Sequence, residues 1–77
     1  MITVHYFAGI REMTGTHKED FDCAGETVGQ LKERLIQKYP QMQGNSLQFA
    51  VNEEYALQTD ILSEGDAVAL IPPVSGG

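Results

Sequence analysis

Residues 26–40 read ETVGQLKERLIQKYP, and this segment carries the clearest helical pattern in the chain. Thr27 followed three residues later by Gln30 forms a capping-box pattern, and Glu26 lies near the positive end of the predicted helix dipole. The apolar residues that recur at helical spacing are Val28, Leu31, Leu35 and Tyr39, with Ile36 widening the stripe. Pro40 disfavours helical φ/ψ in the preceding residue, so the segment predicts one amphipathic helix that stops there.

Strand patterns lie on both sides of this helix. On the N-terminal side, the residues that alternate between two faces are Ile2, Val4 and Tyr6 on one face and Thr3, His5 and Phe7 on the other. Residues 17–21 predict a second strand that pairs with the first as a hairpin. On the C-terminal side, Leu47, Phe49 and Val51 recur at every second position. Residues 63–66 predict a tight turn that is followed by a last strand over residues 67–71.

Shorter signals fill the remaining segments. Residues 8–16, which contain two glycines, predict a turn-rich stretch, and Gly44-Asn45 predicts a loop. Residues 52–54 predict a turn into a short strand near Tyr55. Residues 60–62 predict a short helical turn.

This order of elements, strand–strand–helix and then two or three strands, is typical of a compact α+β domain. If the first and last strands lie parallel at the centre, the arrangement is the β-grasp fold of ubiquitin-like proteins. We therefore predict a mixed four- to five-stranded sheet with one main helix packed on one face. The whole chain, 1–77, is predicted to be a single domain with a flexible C-terminal tail over residues 72–77.

Composition narrows the functional classes. The net charge of −6 disfavours nucleic acid as a partner, because that binding depends on lysine and arginine, and it favours partners with basic surfaces. The acidity would also serve solubility alone. A single cysteine excludes an internal disulfide, and we see neither a signal peptide nor a membrane span. We expect a cytoplasmic protein with no membrane partner.

The sequence ends in Gly76-Gly77, preceded by the pair Pro72-Pro73. Residues without a Cβ can enter a slot too narrow for any other residue type. The two prolines favour an extended exit from the folded body. The alternative is a frayed end without function. We interpret the tail as a functional segment that delivers the Gly77 carboxylate into a partner's active site.

Apolar residues beside the root of this tail predict a docking patch. Phe7 and Ile71 have the opposite parity to the core residues of their strands, so they emerge on the sheet face away from the helix. Tyr55 could join them there. Singly exposed apolar residues are normal, which is the alternative interpretation. Arg11 is a weaker candidate that would steer the domain towards an acidic patch.

No group in the chain predicts an active site or a metal site. His5 and His17 lack metal-ligand spacing, and Cys23 lacks an activating base, so we interpret it as a buried or half-buried small apolar residue. The glycines do not form a phosphate-binding fingerprint. The chain by itself is therefore not predicted to be an enzyme or to bind a cofactor.

Several motifs together resemble the small subunits of molybdopterin synthase, the MoaD family of ubiquitin-like sulfur carriers. The segment from Gly65 to Gly77, GDAVALIPPVSGG, resembles the family's C-terminal signature. The opening, Tyr6-Phe7-Ala8 leading to Arg11-Glu12 and Gly15, and the mid-chain Val51-Asn52 with Tyr55 beyond it, are also similar. The resemblance covers the chain from end to end.

The resemblance implies that the C-terminal carboxylate is the working group. An E1-like adenylyltransferase would use ATP and magnesium to adenylate Gly77, and a persulfide donor would convert the adenylate into a thiocarboxylate. The tail residues Pro72, Pro73, Val74, Ser75 and Gly76 would insert into the large synthase subunit, in an expected heterotetramer. Sulfur would then pass to cyclic pyranopterin monophosphate to form the dithiolene of molybdopterin.

Other classes share parts of this pattern. A sulfur carrier of the thiamine or tRNA-thiolation pathway shares the fold and the diglycine, although not the expected Pro-Pro-Val. A ubiquitin-like modifier is a second alternative, but ubiquitin's tail is basic, whereas residues 67–77 here are uncharged. A plant-type ferredoxin is excluded, because its cluster requires four cysteines.

Overall fold

The computed structural model describes residues 1–43 and 47–71. Its strands are β1 (Ile2–Tyr6), β2 (Lys18–Phe21), β3 (Gln48–Val51), β4 (Glu54–Tyr55) and β5 (Ala67–Ile71). Its helices are α1 (Ala8–Thr14) and α2 (Val28–Lys38), followed by a 3₁₀ helix, Pro40–Met42. The predicted loop at Gly44-Asn45 and the tail over residues 72–77 lie outside the described residues.

The strands form one mixed sheet in the order β2-β1-β5-β3-β4. The first and last strands are parallel neighbours at the centre, with Val4 opposite Val68 and Tyr6 opposite Leu70. The other pairs, β1 with β2, β3 with β5 and β3 with β4, are antiparallel. The predicted β-grasp architecture, with five strands and one main helix, is confirmed.

Helix α2 begins with the capping box that the sequence predicts. The Gln30 backbone N–H donates to Thr27 Oγ1 at 3.1 Å, and the Thr27 N–H donates to Gln30 Oε1 at 2.8 Å. Two otherwise unpaired backbone donors are thereby satisfied. Glu26 does not act at the helix start alone, because its carboxylate also accepts a 3.0 Å hydrogen bond from Arg34 Nε one to two turns along α2. The helix ends at Lys38, before Pro40, as predicted.

The apolar stripe of α2 and one face of the sheet form the core. The buried residues that α2 and the two central strands contribute are Val28, Leu31, Leu35, Ile2, Val4, Tyr6, Val68 and Leu70. Ile36 and Tyr39 pack against this cluster from its edge. Cys23 is also buried in it, as predicted. The opposite face of the sheet carries no helix from the described part of the chain, and we call it the open face.

Two predicted segments were wrong. Most of the predicted turn-rich stretch over residues 8–16 is helix α1, which is followed by Gly15 as its C-cap in the left-handed conformation with φ 78°. Buried Ile10 and half-buried Met13 lie three residues apart on its inner side, so core contacts outweigh the poor helix propensity of Gly9. Residues 60–62 form not a helical turn but an extended bridge, in which Ile61 pairs with Thr27. The Leu62 N–H donates to the Glu26 carbonyl at 2.8 Å, so this N–H does not bond within a helical turn.

Glu19 joins β2 to β1 and to the end of α2. Its Oε1 accepts hydrogen bonds from Tyr6 Oη at 2.8 Å and Tyr39 Oη at 2.6 Å, and its Oε2 pairs with the Lys38 ammonium. The side chain of Glu19 is only 19% exposed. Partial burial raises the pKa of Glu19, but the hydrogen bonds from Lys38, Tyr39 and Tyr6 outweigh it and lower the pKa below the ordinary 4.5. Burial and the same carboxylate raise the pKa of Tyr39 to about 12 and also raise that of Tyr6.

We expect Glu19→Gln to lower the free energy of unfolding by about 1–3 kcal/mol near neutral pH, because charged hydrogen bonds to three donors are weakened. A lowered folded-state pKa adds stability above the unfolded pKa, and this stability is lost as the pH falls through the folded pKa. The difference between wild type and variant should therefore shrink below pH 4.5. Urea unfolding at about pH 7 and about pH 3 measures it. The control is Glu33→Gln on the exposed side of α2. An equal difference at both pH values would contradict the assignment.

No helix in the part of the chain that the structure describes is long and apolar enough to cross a membrane.

Candidate functional site

Phe7 and Ile71 lie next to each other at one end of the open face. Tyr6 and Leu70 are register partners whose side chains are fully buried on the α2 side. Because side chains alternate along a strand, the next residue on each strand emerges on the other face. Phe7 is 53% exposed there, and Ile71 is half-buried. The two residues therefore form an apolar pair where β5 ends, at the root of the tail.

Tyr55 lies on the open face but at its opposite edge. It pairs with Ala50, which in turn pairs with Ala69 of β5, and its side chain is 73% exposed. Three strand spacings separate β1 from β4, so Phe7 and Tyr55 stand about 14 Å apart across the sheet. The three predicted docking residues share a face, but only two of them adjoin.

Small side chains occupy the centre of the face between these aromatic residues. Ala67 and Ala69 of β5 have β1 on one side and β3 on the other. They form the floor of a shallow groove of about 300 Å³, which is lined mostly by apolar atoms. The other residues that line it are His5 and Phe7 on one side, Asn52 and Glu53 on the other, and Val68 below. We call this feature the alanine groove.

A side-chain clamp holds the β3–β4 turn against the start of β5. Asn52 Nδ2 donates to Asp66 Oδ1 at 3.0 Å, and the Ala67 N–H donates to Asn52 Oδ1 at the same distance. Asp66 Oδ2 accepts from the Ser63 N–H at 2.8 Å, and this bond and that from Asn52 lower the pKa of Asp66. The clamp sets one wall of the alanine groove. The sequence predicts turns at both segments, but nothing in it shows that they bind each other.

Arg11 lies on α1, which begins directly after Phe7. Four helical residues rise about 6 Å, so Arg11 sits about one turn from the Phe7–Ile71 pair. Its side chain is exposed beside Glu12, Thr16 and His17, along an open hollow between α1 and the loop that leads to β2. Within residues 1–43 and 47–71, Arg11 forms no ion pair. The position suits a peripheral contact better than a central one.

Among the residues that the structure describes, no three His, Cys, Asp or Glu side chains come together as metal ligands. Burial, followed by the nearby Glu26 carboxylate, raises the pKa of the Cys23 thiol, so the thiolate nucleophile is disfavoured. His5 is half-buried in β1 and His17 is exposed before β2. The predicted sites at Gly77 and at Pro72, Pro73, Val74, Ser75 and Gly76 lie outside the described residues.

Comparison with known proteins gives matches along the whole chain. Residues 4–77 match the model of the ThiS family. A molybdopterin synthase sulfur carrier subunit from Mycobacterium tuberculosis is 39% identical over 80 residues, which cover 99% of this chain and 96% of that protein.

Solved structures agree with the fold. A Pyrococcus furiosus protein proposed to be subunit 1 of molybdopterin converting factor superposes with a TM-score of 0.88 at 26% identity, covering 95% of this chain and 97% of that one. The small archaeal modifier protein SAMP1 from Haloferax volcanii superposes with a TM-score of 0.78 at 27% identity, covering 99% and 98%.

Proposed function

Because the chain belongs to the ThiS family, we propose that it is the sulfur-carrier subunit of a molybdopterin synthase, with Gly77 carrying the sulfur. The observation that carries the proposal is the diglycine end of a chain that is 39% identical to a molybdopterin synthase sulfur carrier subunit.

The reaction begins with activation of the Gly77 carboxylate, which is a poor electrophile. An E1-like partner transfers AMP from ATP, with magnesium, to form an acyl adenylate and release pyrophosphate. The terminal sulfur of a persulfide donor attacks the carbonyl carbon and displaces AMP. A second donor thiol then cleaves the resulting acyl disulfide and leaves a thiocarboxylate on Gly77. The thiocarboxylate reacts through its sulfur atom and is a better nucleophile than the carboxylate that it replaces.

The tail supplies reach and shape. Residues 74–77 span about 13 Å when extended, at roughly 3.3–3.6 Å per residue. Pro72 and Pro73 restrict the unbound chain, which lowers the entropy lost when the tail orders in a partner. Gly76 and Gly77 pass a narrow channel because they carry no side chain. Holding the sulfur beside cyclic pyranopterin monophosphate then replaces diffusion of free sulfide with a high effective concentration.

The open face is the proposed docking surface for the large synthase subunit, in a heterotetramer, and for the activating enzyme. Phe7 and Ile71 contribute an apolar anchor at the tail root, Tyr55 contacts the partner at the far edge, and Arg11 contributes at the periphery. Aromatic anchors with polar surroundings are the usual composition of protein interfaces. We place this assembly in the cytoplasm, where Cys23 stays reduced.

Mass spectrometry of the loaded carrier tests the proposal. Incubation with the activating enzyme, ATP, magnesium and a persulfide donor should add about 16 Da, the difference between sulfur and oxygen, a shift that methionine oxidation also produces. Because the chain has three methionines, fragmentation must place the shift on Gly77. Omitting ATP is the matched control. A shift that stays on methionine, or that forms without ATP, would count against the proposal.

A protein modifier is the second candidate, favoured by the structural likeness to small archaeal modifier protein 1. In that case activated Gly77 forms isopeptide bonds with lysines of other proteins. A sulfur carrier for the thiamine or tRNA-thiolation pathway remains the alternative of the same class. Conjugates on denaturing gels identify the modifier, and transfer of sulfur to cyclic pyranopterin monophosphate separates the pathways.

A further inference from the structure

The alanine groove is a concave feature of the open face, next to the Phe7–Ile71 pair. Its floor is made by Ala67 and Ala69 of β5, whose side chains are single methyl groups. Its volume of about 300 Å³ is near the lower limit of small-molecule sites, so it suits one or two amino-acid side chains better than a cofactor.

Glu53 stands at the rim in an unfavourable backbone conformation. Its φ is 71°, and that of Asn52 is 51°, so both residues of the two-residue turn are left-handed. Turns of this kind prefer glycine at the second position, because a Cβ is strained there. The clamp from Asn52 to Asp66 holds the turn in place nevertheless. Glu53 is exposed and forms no ion pair with any residue that the structure describes. The Glu53 carboxylate therefore stands at the groove in a backbone position where glycine would be less strained.

We propose that the alanine groove receives an apolar side chain of the partner, and that Glu53 pairs with a lysine or arginine next to that side chain. The inference rests on the proposed function only in taking the large synthase subunit as the partner. Charge selects this occupant: the chain carries a net charge of −6, so a second copy or a free anion is repelled, whereas a basic segment is attracted.

Filling the groove tests the apolar part. Ala69→Leu places a branched side chain on the floor, and we expect it to weaken binding to the large subunit by about 10- to 100-fold in titration calorimetry. Gln37→Leu on the exposed side of α2 introduces the same side chain away from the sheet, and it should leave the affinity unchanged. Wild-type affinity of Ala69→Leu would overturn the groove assignment.

Glu53→Gly tests the charged part and separates it from folding. The variant removes the carboxylate and relieves the left-handed strain, so its Tm should hold or rise. Its association with the large subunit should nevertheless slow, and the rate should depend less on salt than that of the wild type. An unchanged salt dependence would overturn the role of Glu53.

These outcomes are distinguishable from failure of the proposed function. Normal binding by both variants, with a thiocarboxylate still forming on wild-type Gly77, would remove the groove proposal and leave the sulfur-carrier function standing. If Ala69→Leu weakens binding but the wild type forms no thiocarboxylate, the groove proposal stands and the sulfur-carrier function is removed. Absence of any binding between the wild type and the large subunit would overturn the groove proposal together with its partner.

Discussion

Deletion of Gly77 is expected to reduce thiocarboxylate formation by at least about 100-fold. Removing one residue withdraws the terminal carboxylate by about 3.3–3.6 Å. A misplacement of 1 Å at a reacting centre can cost about 100-fold, so a retraction of this size removes the carboxylate from the adenylation site. The measurement is the rate at which the mass increase appears on the terminal residue, under conditions that load the wild type.

Two further variants separate reach from shape. An amide-capped Gly77 keeps the full length but removes the reacting oxygen, and it should not be loaded at all. Gly77→Ala keeps both the length and the carboxylate and adds one Cβ, so it reports on the width of the slot alone. Since the deleted residue is not part of the described core, the unfolding midpoint of each variant should match that of the wild type. Full-rate loading of the truncated or the amidated chain would disprove the proposed role of Gly77.

Phe7→Asp is expected to weaken binding to the large synthase subunit by about 30-fold or more, the scale of an interface hot spot. The ring is 53% exposed in the free domain, and it adjoins Ile71 and lines the alanine groove. The change removes apolar area from the interface and also places a charge there that must lose its water. The measurement is the dissociation constant by titration calorimetry.

Leu57→Asp is the matched control for this variant. Leu57 is 70% exposed and lies outside the strands. It does not line the alanine groove, and it is not part of the Phe7–Ile71 pair. The same apolar-to-acidic change should therefore leave the affinity unchanged. If Leu57→Asp weakens binding as much as Phe7→Asp does, the added negative charge explains the effect, and docking at the open face does not. A companion variant, Ile71→Asp, requires a check of the unfolding midpoint, because this residue is half-buried in β5.

Helix α2 and strands β1 and β5 were predictable because their determinants are local. The capping box at Thr27 and Gln30 needs only residues three apart, and the buried stripe repeats at helical spacing. In β1 the strict alternation of burial, from Ile2 to Tyr6, follows from the pleat of a strand. The side of the sheet on which Phe7 and Ile71 lie followed from the same parity.

Helix α1 and the bridge at Ile61 were not predictable in this way. Ile10 and Met13 occupy too short a segment to display a helical period, and their burial under the sheet decides the conformation. Ile61 pairs with Thr27, 34 positions earlier in the chain, so its backbone bonds come from a segment that local propensity does not contain.

The sequence by itself determined the β-grasp order, the apolar pair at the tail root and the diglycine end, because each depends on neighbouring residues and their periodicity. Only the tertiary structure decided that Tyr55 stands at the far edge of the open face, that two alanines floor a groove beside Phe7, and that Asp66 clamps Asn52 at its wall. These features join residues on strands that are adjacent in the sheet but distant along the chain. Their geometry arises from strand register, which no local pattern encodes.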